Sequence, residues 1–113
     1  MNQKANTQHI RTYSPMTKEA LELMGLEIAA ARKARKWSEG KLAEHAGVSR
    51  GTVRRIEKGH PKAEVGLVFE MASLVGVSLF GDKRRERLTS AREKAPLLPK
   101  RIHDTTPVMN DDF

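Results

Sequence analysis

The stretch from Ser38 to Gly59, SEGKLAEHAGVSRGTVRRIEKG, constrains the fold more than any other part of the chain. Leu42 and Ala46 are four residues apart, and Val53 and Ile56 are three apart, so each pair lies on one face of a helix. The pattern therefore predicts two short helices with an apolar face each, separated by a three-residue turn.

Small residues stand where two such helices would have to touch. Ala43 suits the crossing point, and Gly47 can adopt a positive φ, which lets the chain reverse after the first helix. Val48 is expected to fill the corner, and the hydroxyl of Ser49 is a good N-cap for the second helix. This spacing is typical of a helix-turn-helix unit, whose second helix enters the major groove of DNA.

An ordinary helical hairpin in a bundle would have the same apolar spacing, so the outward face must distinguish the two. With the apolar positions turned inward, Glu57 is the one acid among the outward residues of the second helix. The others favour DNA over a plain hairpin: Arg50, Gly51, Thr52, Arg54, Arg55 and Lys58.

Composition agrees with a small nucleic-acid-binding protein. The net charge of +7 and the pI near 10.1 favour a polyanionic partner. The 113 residues correspond to one small domain with extensions. The absence of cysteine excludes disulfides, and no apolar run is long enough for a signal peptide or membrane span. We therefore expect a cytoplasmic protein.

The chain divides into a disordered N-terminal arm (1–13), a DNA-binding domain (14–81), a basic and partly helical extension (82–101) and a disordered tail (102–113). The first helix is expected to start at Ser14 or Thr17 and to run to about residue 35, and a fourth should span about 64–75. Asp82 is a fair N-cap for the basic helix. The residues expected to be buried in the first and fourth helices are Leu21, Met24, Ile28, Ala31, Val65, Val68, Phe69 and Ala72.

Residues from about 24 to 78 resemble the XRE family of helix-turn-helix proteins, which includes the lambda and 434 repressors and Cro. The resemblance implies an all-α fold, a compact lambda repressor-like bundle of about five helices. It is carried by Ile28, Arg32, Ser38, Leu42-Ala43, Ala46-Gly47-Val48-Ser49, Ile56-Glu57-Lys58-Gly59 and the segment 72–78, ASLVGVS.

The resemblance also implies roles for particular residues. Arg32 and Glu57 would form a buried ion pair between the first and third helices, the alternative being two solvated surface charges. The expected base-reading residues are Arg50, Gly51, Arg54 and Arg55, with Gly51 allowing close backbone approach. The expected phosphate contacts are Ser38, Lys41, Ser49, Thr52 and Lys58.

The start of the second helix departs from the family. Glu39 stands where the family commonly has a glutamine that touches phosphate, and Lys41 stands where a glutamate would complete the capping box. A carboxylate suits the helix dipole but repels phosphate. Either the domain approaches DNA at a different angle, or Lys41 takes the phosphate contact.

Enzymatic function has little support in the sequence. The four histidines are far apart and form no helical pair with an acid at metal-ligand spacing: His9, His45, His60 and His103. No phosphate-binding glycine loop or nucleophile with a nearby base is present. We expect no catalytic residue, no metal and no cofactor.

Two hypotheses concern further partners. The run Ala91 to His103 resembles the tails of HipB-type antitoxins, which repress their own operon and bind a HipA-type kinase toxin; the alternative is a stand-alone or phage-type repressor. In either case a homodimer on a pseudo-palindromic operator is expected. The residues assigned to a dimer or partner surface are Leu79, Phe80, Leu88, Leu97 and Leu98.

Overall fold

The structure is a computed structural model that describes residues 11–99. Within this range it contains five α-helices and no strand, which confirms the all-α fold. The expected disordered segments, 1–13 and 102–113, lie outside the described residues except for 11–13, which form no helix. The helices are α1 (Pro15–Ala34), α2 (Glu39–Ala46), α3 (Arg50–Glu57), α4 (Val65–Val75) and α5 (Arg84–Lys94), and a 3₁₀ turn (Ala95–Leu97) follows α5.

The described residues form two compact units, which divide between Leu79 and Phe80. The first contains α1 to α4, and the second contains α5 and the 3₁₀ turn. Residues 77–83 form bends and a turn rather than a helix, and α5 starts at Arg84. The expectation that Asp82 caps this helix is wrong: Lys83 occupies the N-cap position, and no side chain caps the helix.

Local sequence accounts for the ends of the first three helices. Ser14, Ser38 and Ser49 are their N-caps, and each hydroxyl accepts a hydrogen bond of 3.0–3.2 Å from the amide three residues ahead. Ser14, rather than Thr17, therefore caps α1. Gly47 ends α2 in the left-handed region, with φ of 73°, and turns the chain toward α3.

The core of the first unit draws on all four of its helices. Val65 was expected to be buried, but it is 65% exposed because it is the first residue of α4 and lies at the rim of an open apolar groove. Met71, which the spacing argument missed, is fully buried. The buried apolar residues are Ile28, Leu42, Ala43, Val53, Ile56, Val68, Met71, Ala72 and Val75.

The backbones of α1 and α3 touch at Gly25. A Cβ atom built on Gly25 would lie 2.4 Å from the carbonyl oxygen of Glu57 and 2.6 Å from that of Ile56. Both neighbours are backbone atoms, so a side chain could be accommodated only by moving one helix away from the other. Glycine is therefore required here to seat α3 on α1.

Candidate nucleic-acid interface

The seating of α3 determines which of its residues reach solvent. Val53 and Ile56 are 0% and 3% exposed and pack into the core against α1 and α2. The opposite side of the helix carries the exposed residues Arg50, Arg54 and Arg55, and Lys58 follows at the C-cap. An eight-residue helix and its C-cap thus present four cations on one side.

Glu57, the one acid of α3, is turned away from that surface. Its carboxylate receives two hydrogen bonds from Arg32 of α1, from Nε to Oε2 at 2.7 Å and from Nη2 to Oε1 at 3.0 Å. Each of the two side chains is only 8% exposed. Glu57 therefore adds no negative charge to the outer face of α3, because its carboxylate is paired inside the protein.

Arg32 also links the loop after α1 to this pair. Its Nη1 donates to the carbonyl oxygen of Trp37 at 2.9 Å. The hydrogen bond to Glu57 raises the pKa of Arg32 above its ordinary value, although burial acts in the opposite direction. A bidentate, mostly buried pair of this kind holds α3 in one orientation relative to α1.

Gly51, the second residue of α3, is required neither by close contacts with the described residues nor by its backbone conformation. A Cβ atom there would lie 3.6 Å from Nη1 of Arg55 and 3.7 Å from Oγ of Ser49, which are ordinary contacts, and its φ is not positive. In a helix interior, glycine is less favourable than alanine by about 0.8–1.0 kcal/mol. Contacts among the described residues therefore do not explain a glycine at this position.

Comparison with known proteins identifies the domain. A family model described as helix-turn-helix matches residues 28–81. Residues 28–81, somewhat less than half of the chain, are therefore similar to helix-turn-helix domains. No curated protein and no solved structure matches the chain. This similarity supports a DNA-binding transcriptional regulator.

α3 occupies the position of the recognition helix in a helix-turn-helix, and two of its arginines have partners within the protein. Nε of Arg54 donates to Oε1 of Glu39 at 2.9 Å, and Nη2 of Arg55 donates to Oγ1 of Thr52 at 3.1 Å. Arg50 lies against the first turn of α2, where its Nε is 3.1 Å from a Cβ built on Gly40. The first turn of α2 and the recognition helix therefore form one continuous surface.

The residues assigned to phosphate lie on or beside that surface. The hydroxyls of Ser38 and Ser49 act as helix caps, and that of Ser49 also lies 3.1 Å from the hydroxyl of Thr52. Lys41 and Lys58 are exposed. Their contact with phosphate stays a prediction.

Sequence reasoning missed a ring stack beside the helix-turn-helix. Trp37 and His45 have ring centroids 4.5 Å apart and planes 12° apart. Two cations flank the indole, with Arg35 Cζ and Lys41 Nζ at 5.7 and 5.8 Å from its centroid. This contact was not predicted, because no spacing rule joins His45 of α2 to a tryptophan in the preceding loop.

The residues assigned to a partner surface differ in their surroundings. Leu79 is half-buried and packs against the core of the first unit, so it offers little free surface. The other four belong to the second unit and are exposed by 45–81%: Phe80, Leu88, Leu97 and Leu98. Their role in an interface stays a prediction.

The described part of the chain contains no helix long and apolar enough to cross a bilayer. Among residues 11–99 there is likewise no cluster of three or more histidine, cysteine or acidic side chains that could hold a metal ion.

Proposed function

We propose that this chain is a sequence-specific repressor that binds duplex DNA as a homodimer on a pseudo-palindromic operator. The recognition helix lies in the major groove, and Arg50, Arg54 and Arg55 contact base edges. Arginine is the usual bidentate partner of guanine O6 and N7. The observation that carries the proposal is the inward pairing of Glu57 with Arg32, which leaves only cations and neutral groups on the outer face of α3.

We infer dimerisation because one domain contacts only a short stretch of DNA. A single recognition helix reads a few base pairs, and two helices related by a two-fold axis would read half-sites about 34 Å apart. The phosphate contacts of this assembly are Ser38, Lys41, Ser49, Thr52 and Lys58, which surround the recognition helix or form the first turn of α2.

The proposal is tested by selecting bound sites from random duplex DNA and titrating the selected site against a scrambled one. Arg50→Ala should lose about 5- to 150-fold in affinity for the selected site and much less for the scrambled one, since a bidentate arginine is worth about 1–3 kcal/mol of discrimination. Arg92→Ala, in the second unit, is the matched control. Equal losses on both DNAs would reduce Arg50 to a phosphate contact, and the failure of any sequence to be selected would overturn the proposal.

We further propose that the repressor is the antitoxin of a HipA-type kinase toxin and represses the operon that encodes both. The second unit supports this. All residues of α5 are exposed, and an eleven-residue helix with no buried side chain is marginal in water by itself. Leu97 and Leu98, 81% and 64% exposed, follow it. A toxin surface that covers these leucines would stabilise the helix.

Co-expression with the product of the neighbouring gene, followed by pull-down, tests the antitoxin role. A Leu97→Ser, Leu98→Ser double variant should lose the toxin while keeping DNA affinity, and Arg50→Ala should do the reverse. A protein that represses alone, has no toxic neighbour and is unchanged by removal of residues 95–113 would instead be a stand-alone or phage-type regulator.

A further inference from the structure

Glu39 and Arg54 join the start of α2 to the recognition helix. Glu39 is the first residue of α2, and Arg54 is the fifth residue of α3. Oε1 of Glu39 accepts a hydrogen bond of 2.9 Å from Nε of Arg54, while the two side chains remain 31% and 54% exposed, respectively. The pair therefore lies at the surface that is proposed to face DNA.

The surroundings of Glu39 favour its ionised form. The hydrogen bond from Arg54 is the largest effect on the pKa of Glu39 and lowers it. Burial acts in the opposite direction, and the charges of Arg54, Arg32 and Lys58 lower the pKa further. Glu39 is thus a carboxylate at neutral pH, with three cations near it: Arg32 of α1, Arg54 of α3 and Lys58 at the C-cap of α3. It remains a hydrogen-bond acceptor for Arg54 under all ordinary binding conditions.

The atom through which Arg54 is held decides what the rest of its guanidinium can do. A guanidinium is a rigid planar fork with five N–H donors, and Glu39 engages the one on Nε. The end of the fork, formed by Nη1 and Nη2, keeps its own donors. That end can donate two parallel hydrogen bonds to guanine O6 and N7.

We propose that Glu39 is a positioning residue that sets base specificity: it holds Arg54 by Nε so that the Nη1–Nη2 edge is presented to a guanine. The inference rests on the proposed DNA-reading function. The same carboxylate repels phosphate, so it lowers affinity for every sequence. Glu39 therefore lowers the affinity for all DNA sequences but raises the preference for guanine at one position. This explains why an acid lies close to the DNA backbone.

The test uses the full-length protein and two DNAs, a site selected from random duplexes and a scrambled duplex. Arg54→Ala first identifies the base position whose preference depends on Arg54. Glu39→Ala should then bind the scrambled duplex more tightly, lose preference at that same position, and lower the ratio of the two affinities by about fivefold or more. Glu39→Gln, whose amide oxygen can still accept from Nε, should keep most of the preference.

Glu44→Ala is the matched control, because it removes an exposed acid from the same helix. It should raise affinity for both DNAs alike and leave base preference unchanged. If Glu39→Ala behaves as Glu44→Ala does, Glu39 contributes only charge and the inference is overturned. If the unaltered protein selects no sequence, the proposed function itself fails, and the inference fails with it. Thermal unfolding of each variant verifies that the compared proteins are folded.

Discussion

Replacement of Gly51 by alanine should make the domain more stable and bind DNA less well. The added Cβ meets only ordinary contacts at 3.6 and 3.7 Å, and the backbone there is not in the left-handed region. Such a Gly→Ala change stabilises a protein by about 0.4–1 kcal/mol, chiefly by restricting the unfolded chain. For a domain of this size the melting temperature should rise by about 2–8 °C.

DNA binding should change in the opposite direction. Gly51 lies in the N-terminal half of the recognition helix, the part of such helices that contacts base edges. If its backbone lies directly against the duplex, a new methyl group must be accommodated in a packed interface, and overpacking of this kind costs about 1–3 kcal/mol. The dissociation constant should therefore rise by about 5- to 150-fold.

Circular dichroism melting and a fluorescence anisotropy titration on the selected site measure the two effects. Gly66→Ala is the matched control, because Gly66 is likewise the second residue of its helix and has no atom within 4 Å of a built Cβ. It should raise stability by a similar amount and leave DNA affinity unchanged. A Gly51→Ala protein that is more stable and binds the site as tightly as the parent would refute the close approach of this backbone to DNA.

Three further predictions concern the seating and charge of the recognition helix. Gly25→Ala places a Cβ 2.4 Å from a backbone oxygen of α3, so the free energy of unfolding measured with urea should fall by about 1–3 kcal/mol. An unchanged free energy of unfolding would mean that α1 and α3 can move apart without cost. Glu57→Ala leaves Arg32 mostly buried without its partner and should cost about 3–5 kcal/mol; a variant as stable as the parent would contradict a structural role for the pair. If a bound dimer neutralises about six to ten phosphates, log K should fall with log salt at a slope of about −5 to −9, whereas a slope near zero would exclude phosphate contacts.

Features that depend on nearby residues were predicted well from the sequence. Ser14 and Ser49 cap their helices, and Gly47 makes the left-handed turn. Each of these depends on a side chain and a backbone group within a few residues, so local chemistry is sufficient to predict it. Val65 shows the limit of this reasoning: its spacing matched a buried face, but burial depends on where neighbouring helices end.

Contacts between distant residues fall into two groups. The pairing of Arg32 with Glu57 was expected only through the family resemblance, since nothing in the spacing of residues 25 positions apart joins them. The contact of Glu39 with Arg54 and the stacking of Trp37 on His45 were not predicted. For Glu39 the exchange of acid and base at the start of α2 was a signal, but it did not indicate which cation the acid would meet.

The amino-acid sequence by itself determined the helices, the turn between α2 and α3, and the basic character of the recognition helix, because periodicity, caps and charge are properties of neighbouring residues. Only the tertiary structure decided which charges of α3 remain available to DNA. Glu57 is directed inward by Arg32 and Arg54 is held by Glu39, and both outcomes depend on how closely α1 and α2 approach α3 in space.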